Sequence, residues 1–536
     1  MRATLALICA LLALPVLGVA GSWLAFDAGA LDLLAHQAST VLPGYALQSL
    51  LLAVGVGVGV TLLGGGAAAA VMLFEFPGRR SFEWLLLLPL AMPAYVLAYA
   101  YTDFLQFSGP AQRLLRQATG AQGALWPDVR SLWGAVPMFV LCLYPYVYLL
   151  TRTALAERGV QMMEAARLLG AGLRRRITEV ALPMARPALA AGVALALMET
   201  LADYGVGAYF GLTTFTTGIY KAWLAMGDRV AAAQLASMLI AVVALLVWLE
   251  RRAQHRLRFA ASKGASPHAA EARRVPLAGR LAACAWALCA IPVVFGFVLP
   301  VAVLLHMLWQ EAQSAELGLP LARFLQWGWA SFKLAALSAL LATLLALALG
   351  FALRGGRHLG PLAVGARIVS LGYAVPGAVV AVGILLPLAW LQARWPQLNA
   401  PGLVTGTLFG LLYAYLVRFS AVALQSVEAG YSRVPSSIDE SARTLGASRA
   451  RLFGVLHLPL LKRSALAAAL LVFVDVMKEL PATLVLRPFD SDTLAVVAYN
   501  FARDERLSEA ALPSLAIVLV GLIPVVMLSR ALRGSE

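Results

Sequence analysis

Glu164-Ala165-Ala166-Arg167-Leu168-Leu169-Gly170 runs on to Leu182-Pro183, and the chain later repeats the pattern as Glu440-Ser441-Ala442-Arg443-Thr444-Leu445-Gly446, running on to Leu458-Pro459. Glu to Gly spans six residues in both copies, and Gly to Pro spans thirteen. Every matched pair is offset by 276 residues, about half of the 536-residue chain. Two such runs in register mark an internal duplication. Each is a polar interruption in an otherwise apolar sequence, which makes the repeated loop the place to look for coupling to something outside the membrane.

Outward from those loops, the chain is 61% hydrophobic and 13% charged, with mean hydropathy +0.81. A soluble protein of this length carries roughly twice that charge fraction. Apolar runs long enough to cross about 30 Å of hydrocarbon recur from end to end, so the expected class is a polytopic membrane protein. The net charge of +15 does not point to nucleic acid. Its Lys and Arg residues are scattered between apolar spans, as they are when basic residues collect in cytoplasmic loops. Cys9, Cys142, Cys284 and Cys289 all fall in apolar runs, which suits buried thiols rather than a disulfide framework. The six histidines have no metal-ligand spacing.

The apolar runs predict about twelve membrane helices, near 3–24, 48–73, 84–105, 132–151, 187–208, 232–249, 281–308, 334–353, 368–391, 402–424, 464–486 and 513–529. An even count puts both termini on one side. With the termini cytoplasmic, 29 of the 42 Lys and Arg residues fall in cytoplasmic segments and 11 in external ones, and both repeated loops face the cytoplasm. Residues 1–26 have a rival reading as a secretory signal, because Gly18-Val19-Ala20 resembles a small-residue cleavage site. The run from Ala3 to Phe26 is longer than a usual signal core, and a retained first span is the expectation. The segment 250–280, with Ser262-Lys263-Gly264-Ala265-Ser266-Pro267, reads as a cytoplasmic tether. It separates a first half, 1–249, with its loop at about 158–186, from a second half, 281–536, with its loop at about 426–463. Two six-helix halves of one orientation are related by an axis along the membrane normal. Helix breakers lie inside several spans: Pro89, Pro93, Pro137, Pro145, Gly372, Pro376 and Gly377. They are tolerated where neighbouring helices or a water-lined cavity satisfy the freed backbone groups.

Within each loop, two helical turns from Glu164 to Leu169 are expected, stopped by a turn that Gly170 permits. A second short helix then breaks before Pro183, where the next span begins. Small Ala165 and Ala166 leave room for a partner. In the second copy Ser437-Ile438-Asp439-Glu440 fits a capping box, which gives Glu440 a purely local alternative role. The first copy has Gln161 in place of the serine and still has its glutamate. Capping alone does not account for both acids.

The pattern Glu-Ala-Ala, three residues, Gly, and a later Leu-Pro resembles the EAA loop of permease subunits of binding-protein-dependent ABC importers. The resemblance implies a type I ABC importer permease, all-α, of the bacterial inner membrane and multi-pass. In that family the loop docks in a cleft of a cytoplasmic ATPase subunit. Carried over by position, Glu164, Ala165, Ala166 and Gly170 match fully; Glu440, Ala442 and Gly446 match, and Ser441 replaces the middle alanine. The runs Met198 to Gly205 with Ala208 to Gly211, and Val476 to Thr483 with Leu486 to Phe489, are similar to the fused two-half permeases associated with ferric iron uptake. That branch implies two copies of the ATPase, which bind ATP-Mg, and a periplasmic substrate-binding protein. Fused permeases for other solutes such as thiamine, and ion-coupled secondary transporters, are the alternatives. No Gly-x4-Gly-Lys-Ser/Thr phosphate loop occurs, so no cofactor is expected on this chain, and no enzymatic constellation of His, Cys or Ser stands out.

Charges inside a span cost about 2.5–3.5 kcal/mol each on insertion scales and therefore call for a function. The fifth span carries Glu199 and Asp203 and the eleventh Asp475 and Glu479, again at the 276-residue offset. Four residues apart, each pair is expected on one helix face. The four acids are candidates for a cation route, with no fixed metal ligands assigned. The alternative is local pairing, with Lys478 serving Asp475 and Arg418 serving another acid.

Overall fold

The computed structural model describes residues 2–25, 28–261, 274–314, 319–354 and 360–533. The chain is an all-α membrane protein. Among the described residues, ten helices are long and apolar enough to cross a bilayer, or eleven when a bent pair is counted as one span. The bent pair is the expected third span: Arg79–Ala91 and Ala94–Thr119 meet at 90°. Pro93 stands between them with extended backbone (φ −62°, ψ 144°), because a proline at a helix start lacks the donor and the freedom to continue the preceding helix. Eleven of the about twelve expected spans are matched in this way, and the eleventh in chain order is the one outside that count. Its helix, Leu458–Lys478, forms at 21 residues and carries Lys462, Arg463, Asp475 and Lys478.

Two compact units make up the chain, and neither is continuous in sequence. One comprises Met1–His36, Ile219–Ile240 and Pro320–Val497; the other comprises Gln37–Gly218, Ala241–Leu319 and Ala498–Glu536. The first is built on Leu321–Arg354, Leu408–Tyr431 and Leu458–Lys478, which pack on one another; Arg2–Gly21 lies against Gly360–Val369 and Gly377–Arg394. In the second unit Leu132–Leu168 packs on Leu42–Val60 and Leu182–Ala202, and Leu299–Ser314 packs on Leu507–Arg533. Lipid offers no hydrophobic drive between helices, so close approach at small residues supplies the packing energy. A Cβ on Gly192 would lie 2.7 Å from the Val147 Cα, and one on Gly430 would lie 2.5 Å from the Ser464 hydroxyl. A two-residue parallel pairing of Phe74–Glu75 with Val275–Pro276 is the one sheet among the described residues.

Three local expectations are corrected. The expected fifth and eleventh spans stop short, at Ala202 and Lys478, and short helices Gly205–Tyr209 and Pro481–Leu486 follow each break. Pro183 does not break its helix: a π-helical turn, Ile177–Ala181, leads directly into Leu182–Ala202, and this widened turn just before the proline accommodates a residue without an N–H. The expected tether begins as helix, since Arg229–Ala261 runs on past residue 250; Ser262 to Pro267 lie outside the described residues.

Candidate functional site

Both repeated loops close with one backbone motif. Helix Leu132–Leu168 carries Glu164, Ala165 and Ala166 in its last turns, and Gly170 takes the left-handed conformation at φ +82°. The Gly170 N–H donates to Arg167 O at 2.9 Å and the Ala171 N–H to Ala166 O at 2.9 Å. The second copy repeats this from helix Ser436–Thr444, with Gly446 at φ +80°. There Gly446 N–H reaches Arg443 O at 2.9 Å and Ala447 N–H reaches Ala442 O at 3.0 Å. This is the Schellman closure, in which a left-handed residue lets two otherwise orphaned carbonyls be satisfied. The expected turn is present in both copies.

Exposure also matches across the copies. Leu169 and Leu445, at the tip of each turn, are both 88% exposed. Ala165 and Ser441 are exposed and Ala166 and Ala442 half-buried; only the acids differ, Glu164 being half-buried and Glu440 exposed. An apolar side chain fully in solvent beside small residues and an acid suits docking against another protein. The capping box expected at Ser437 is not formed. Pro435 starts the helix one residue earlier, Ser437 lies within it, and no side chain caps its N-terminus.

What lies beneath the loops differs. Leu132–Leu168 runs unbroken into the first loop. In the second half Leu408–Tyr431 ends, and the loop helix restarts after Pro435, which cannot sit within a helix without losing a hydrogen bond. Arg354 bridges that break. Its guanidinium donates to Tyr431 O at 3.1 Å, Val434 O at 2.7 Å, Pro435 O at 2.9 Å and Asp439 Oδ2 at 2.5 Å. The His457 Nε2–H reaches Asp439 Oδ1 at 2.8 Å, and the Tyr431 hydroxyl lies 3.2 Å from His457 Nδ1. Burial works to raise the Asp439 carboxyl, but the bonds from Arg354 and His457 outweigh it and hold the group below the usual carboxylate range. At the same offset the first half buries Leu155, Met163 and Ala181 instead. Arg354 and His457 were not singled out from sequence, and no local pattern marks them.

The intramembrane acids are not paired on single helix faces as expected. Glu199 lies within Leu182–Ala202, but Asp203 has left the helix (φ −70°, ψ 132°) and its Oδ1 accepts from the Val206 N–H at 2.8 Å. Glu479 likewise stands at a break (φ −70°, ψ 122°). Its Oε1 accepts from Arg418 at 2.9 Å and from the Ala482 N–H at 2.8 Å, and its Oε2 accepts from the Thr483 N–H at 3.0 Å. A carboxylate at the start of a helix satisfies orphan donors, and that local demand ends the longer helices. Gly377 makes room for Glu479, since a Cβ there would lie 2.8 Å from Oε1. Asp475 is half-buried on Leu458–Lys478. Glu199 and Asp203 belong to one compact unit and Asp475 and Glu479 to the other. Among the described residues no group of three His, Cys, Asp or Glu is placed to hold a metal ion.

Comparison with known proteins adds a family. A model described as "Binding-protein-dependent transport system inner membrane component" matches twice, over residues 61–259 and 363–533. The chain is 25% identical to the Fe(3+)-transport system permease protein FbpB 2 of Haemophilus influenzae over 90% of this chain and 89% of that protein. It is 29% identical to the sulfate transport system permease protein CysT of Salmonella typhimurium, covering 34% of this chain and 66% of that protein. The molybdenum transport system permease protein ModB of Escherichia coli is also 29% identical, over 34% of this chain and 81% of its own length.

Proposed function

This chain belongs to the binding-protein-dependent transport system inner membrane component family, and from that premise we propose that it is the fused permease subunit of an ABC importer that carries ferric iron across the bacterial inner membrane. The observation that carries the reading is the duplicated loop. It closes with the same hydrogen bonds in both copies, inside a chain matched twice by one permease family. Ferric iron is favoured because the ferric-permease relative aligns over both halves, whereas the sulfate and molybdenum relatives each align with about one third of the chain.

In this reading both termini and both loops face the cytoplasm, as the basic-residue bias requires. The halves 1–249 and 281–536 each present a loop, so two copies of a separate ATPase bind ATP-Mg and dock on Glu164 to Gly170 and Glu440 to Gly446. Leu169 and Leu445 enter the ATPase surface, and the rigid Schellman turn transmits its closure to helices Leu182–Ala202 and Leu458–Lys478. A periplasmic binding protein delivers substrate to the opposite side. The acids divide by environment: Glu479 holds a helix break with Arg418, while Glu199, Asp203 and Asp475 remain the candidates for lining the route. The test is uptake of radioactive iron into vesicles holding this chain, its ATPase and its binding protein. ATP-dependent uptake is expected. Uptake that proceeds without the ATPase would replace this reading with an ion-coupled transporter.

A further inference from the structure

Five tyrosines and one carboxylate gather in the unit that contains Gln37–Gly218 and Ala498–Glu536. Tyr95 and Tyr99 stand on helix Ala94–Leu105, just beyond the 90° bend. Asp203 and Tyr204 occupy the break after Ala202, Tyr209 ends the short helix Gly205–Tyr209, and Tyr499 comes from Leu494–Arg503. Ring centroids lie 5.8 Å apart for Tyr95 and Tyr99, 4.9 Å for Tyr99 and Tyr209, and 5.8 Å for Tyr204 and Tyr499. Tyr99 is within electrostatic reach of Tyr95, Tyr209, Tyr499 and Asp203.

Two features set the cluster apart from ordinary aromatic packing. Tyr99 is 0% exposed, and its hydroxyl has no hydrogen-bond partner among the described residues. Such a group is costly to bury, and a phenylalanine would pack the same ring without that penalty. Asp203 faces no cation among the described residues; its one charged neighbour is Glu199. Arg130, over the Tyr209 ring at 5.1 Å, has its charge met by a two-pronged pair with Glu505 at 2.6 and 2.7 Å. The equivalent break in the second half differs: the buried Tyr415 lies near its acid, but its hydroxyl meets Thr483 Oγ1 at 2.7 Å. At the 276-residue offset Tyr204 and Tyr209 become Leu480 and Val485, and the acid is closed off by Arg418.

We propose that Tyr95, Tyr99, Tyr204, Tyr209, Tyr499 and Asp203 form a transit site for a hard trivalent cation, built at the helix break of the first half with Tyr499 brought in from the second. The proposal rests on the reading of ferric iron as cargo. Hard cations select oxygen ligands, and a tyrosine oxygen holds ferric iron in some haem proteins. Binding is an exchange: each phenol that ligates displaces a water or carrier oxygen from the cation and gives up its O–H proton to water, with no change of oxidation state. The orphaned Tyr99 hydroxyl is the first ligand and Asp203 supplies the standing negative charge.

The experiment adds ferric nitrilotriacetate to the full chain in lipid nanodiscs and records visible absorption, because an iron–phenolate bond gives a charge-transfer band that carboxylates do not. The wild type should show the band, and gallium nitrilotriacetate should abolish it by competition. Tyr99→Phe and Asp203→Asn should each weaken binding by roughly tenfold or more, about 1.4 kcal/mol, while Tyr413→Phe, outside the cluster, keeps it. Where Tyr99→Phe fails to assemble, Tyr209→Phe reads the same bond. No band in the wild type, or an unchanged band in Tyr99→Phe, overturns the site. Vesicle uptake separates the two levels: ATP-driven iron uptake without a band removes the site and keeps the cargo, and a band without such uptake keeps the site and removes the cargo.

Discussion

Beneath the first loop the chain buries Leu155, Met163 and Ala181; at the same three positions beneath the second stand Tyr431, Asp439 and His457, bonded in sequence and tied to Arg354. Above those different foundations the two turns have φ values within a few degrees of each other, 82° and 80°, and tip leucines of equal exposure. The comparison separates what the loop must present from what may hold it. The Schellman closure and the exposed tip are common to both copies, whereas the support is interchangeable between apolar packing and a polar network. The polar version comes with a broken helix: Arg354 takes up three backbone carbonyls around Pro435, where the first half keeps a continuous helix.

The contrast predicts unequal responses to mutation. Arg354→Ala should do the most damage, since it leaves the Asp439 carboxylate, 7% exposed as a side chain, with His457 as its remaining partner and frees those carbonyls. Breaking one side of a buried ion pair costs about 3–5 kcal/mol. Amide exchange should accelerate across 436–447 and stay unchanged across 162–171; equal acceleration in both would erase the distinction. Met163→Ala should be the mirror image, costing about 2 kcal/mol for a partly relaxed cavity and loosening only the first loop.

Smaller effects sharpen what is shared. Gly170→Val and Gly446→Val should each cost about 1–3 kcal/mol by forcing a β-branched residue to positive φ. A Cβ at either site meets nothing within 4 Å, so backbone strain alone acts and the two costs should agree. A large difference, measured by thermal melting of the single variants, would mean that the turns are not equivalent. The least effect is that of pH. Asp439 is held below the usual carboxylate range, so its contribution is complete above that range and is lost as pH falls through the lowered value. Acid should therefore loosen the second loop before it touches the Met163-supported first one, as followed by limited proteolysis, and both should be alike across neutral pH.

The turn was legible in the sequence because everything it needs is local: a helix, a glycine, and two carbonyls within five residues. The support was not. Arg354 lies 85 residues from Asp439 and Arg418 lies 61 from Glu479, and periodicity carries no record of which distant cation meets which acid. Asp203 and Glu479 looked like intrahelical charges because their spacing from Glu199 and Asp475 is helical; capping demands at the next short helix overrode that spacing. The capping box at Ser437 failed for a related reason, since Pro435 set the helix start first. The helix Leu458–Lys478 was legible from its apolar run, although it carries four charges.

The central claim is that both loops couple ATP hydrolysis on separate ATPase copies to passage of substrate through this chain. The direct measurement compares the wild type, Gly170→Val, Gly446→Val and the double variant, reconstituted with the ATPase and the binding protein, for ATPase co-purification and ATP-driven iron uptake. Membrane insertion is expected in all four, with reduced coupling in each single variant and the greatest loss in the double variant. Undiminished co-purification and uptake in the double variant would contradict it.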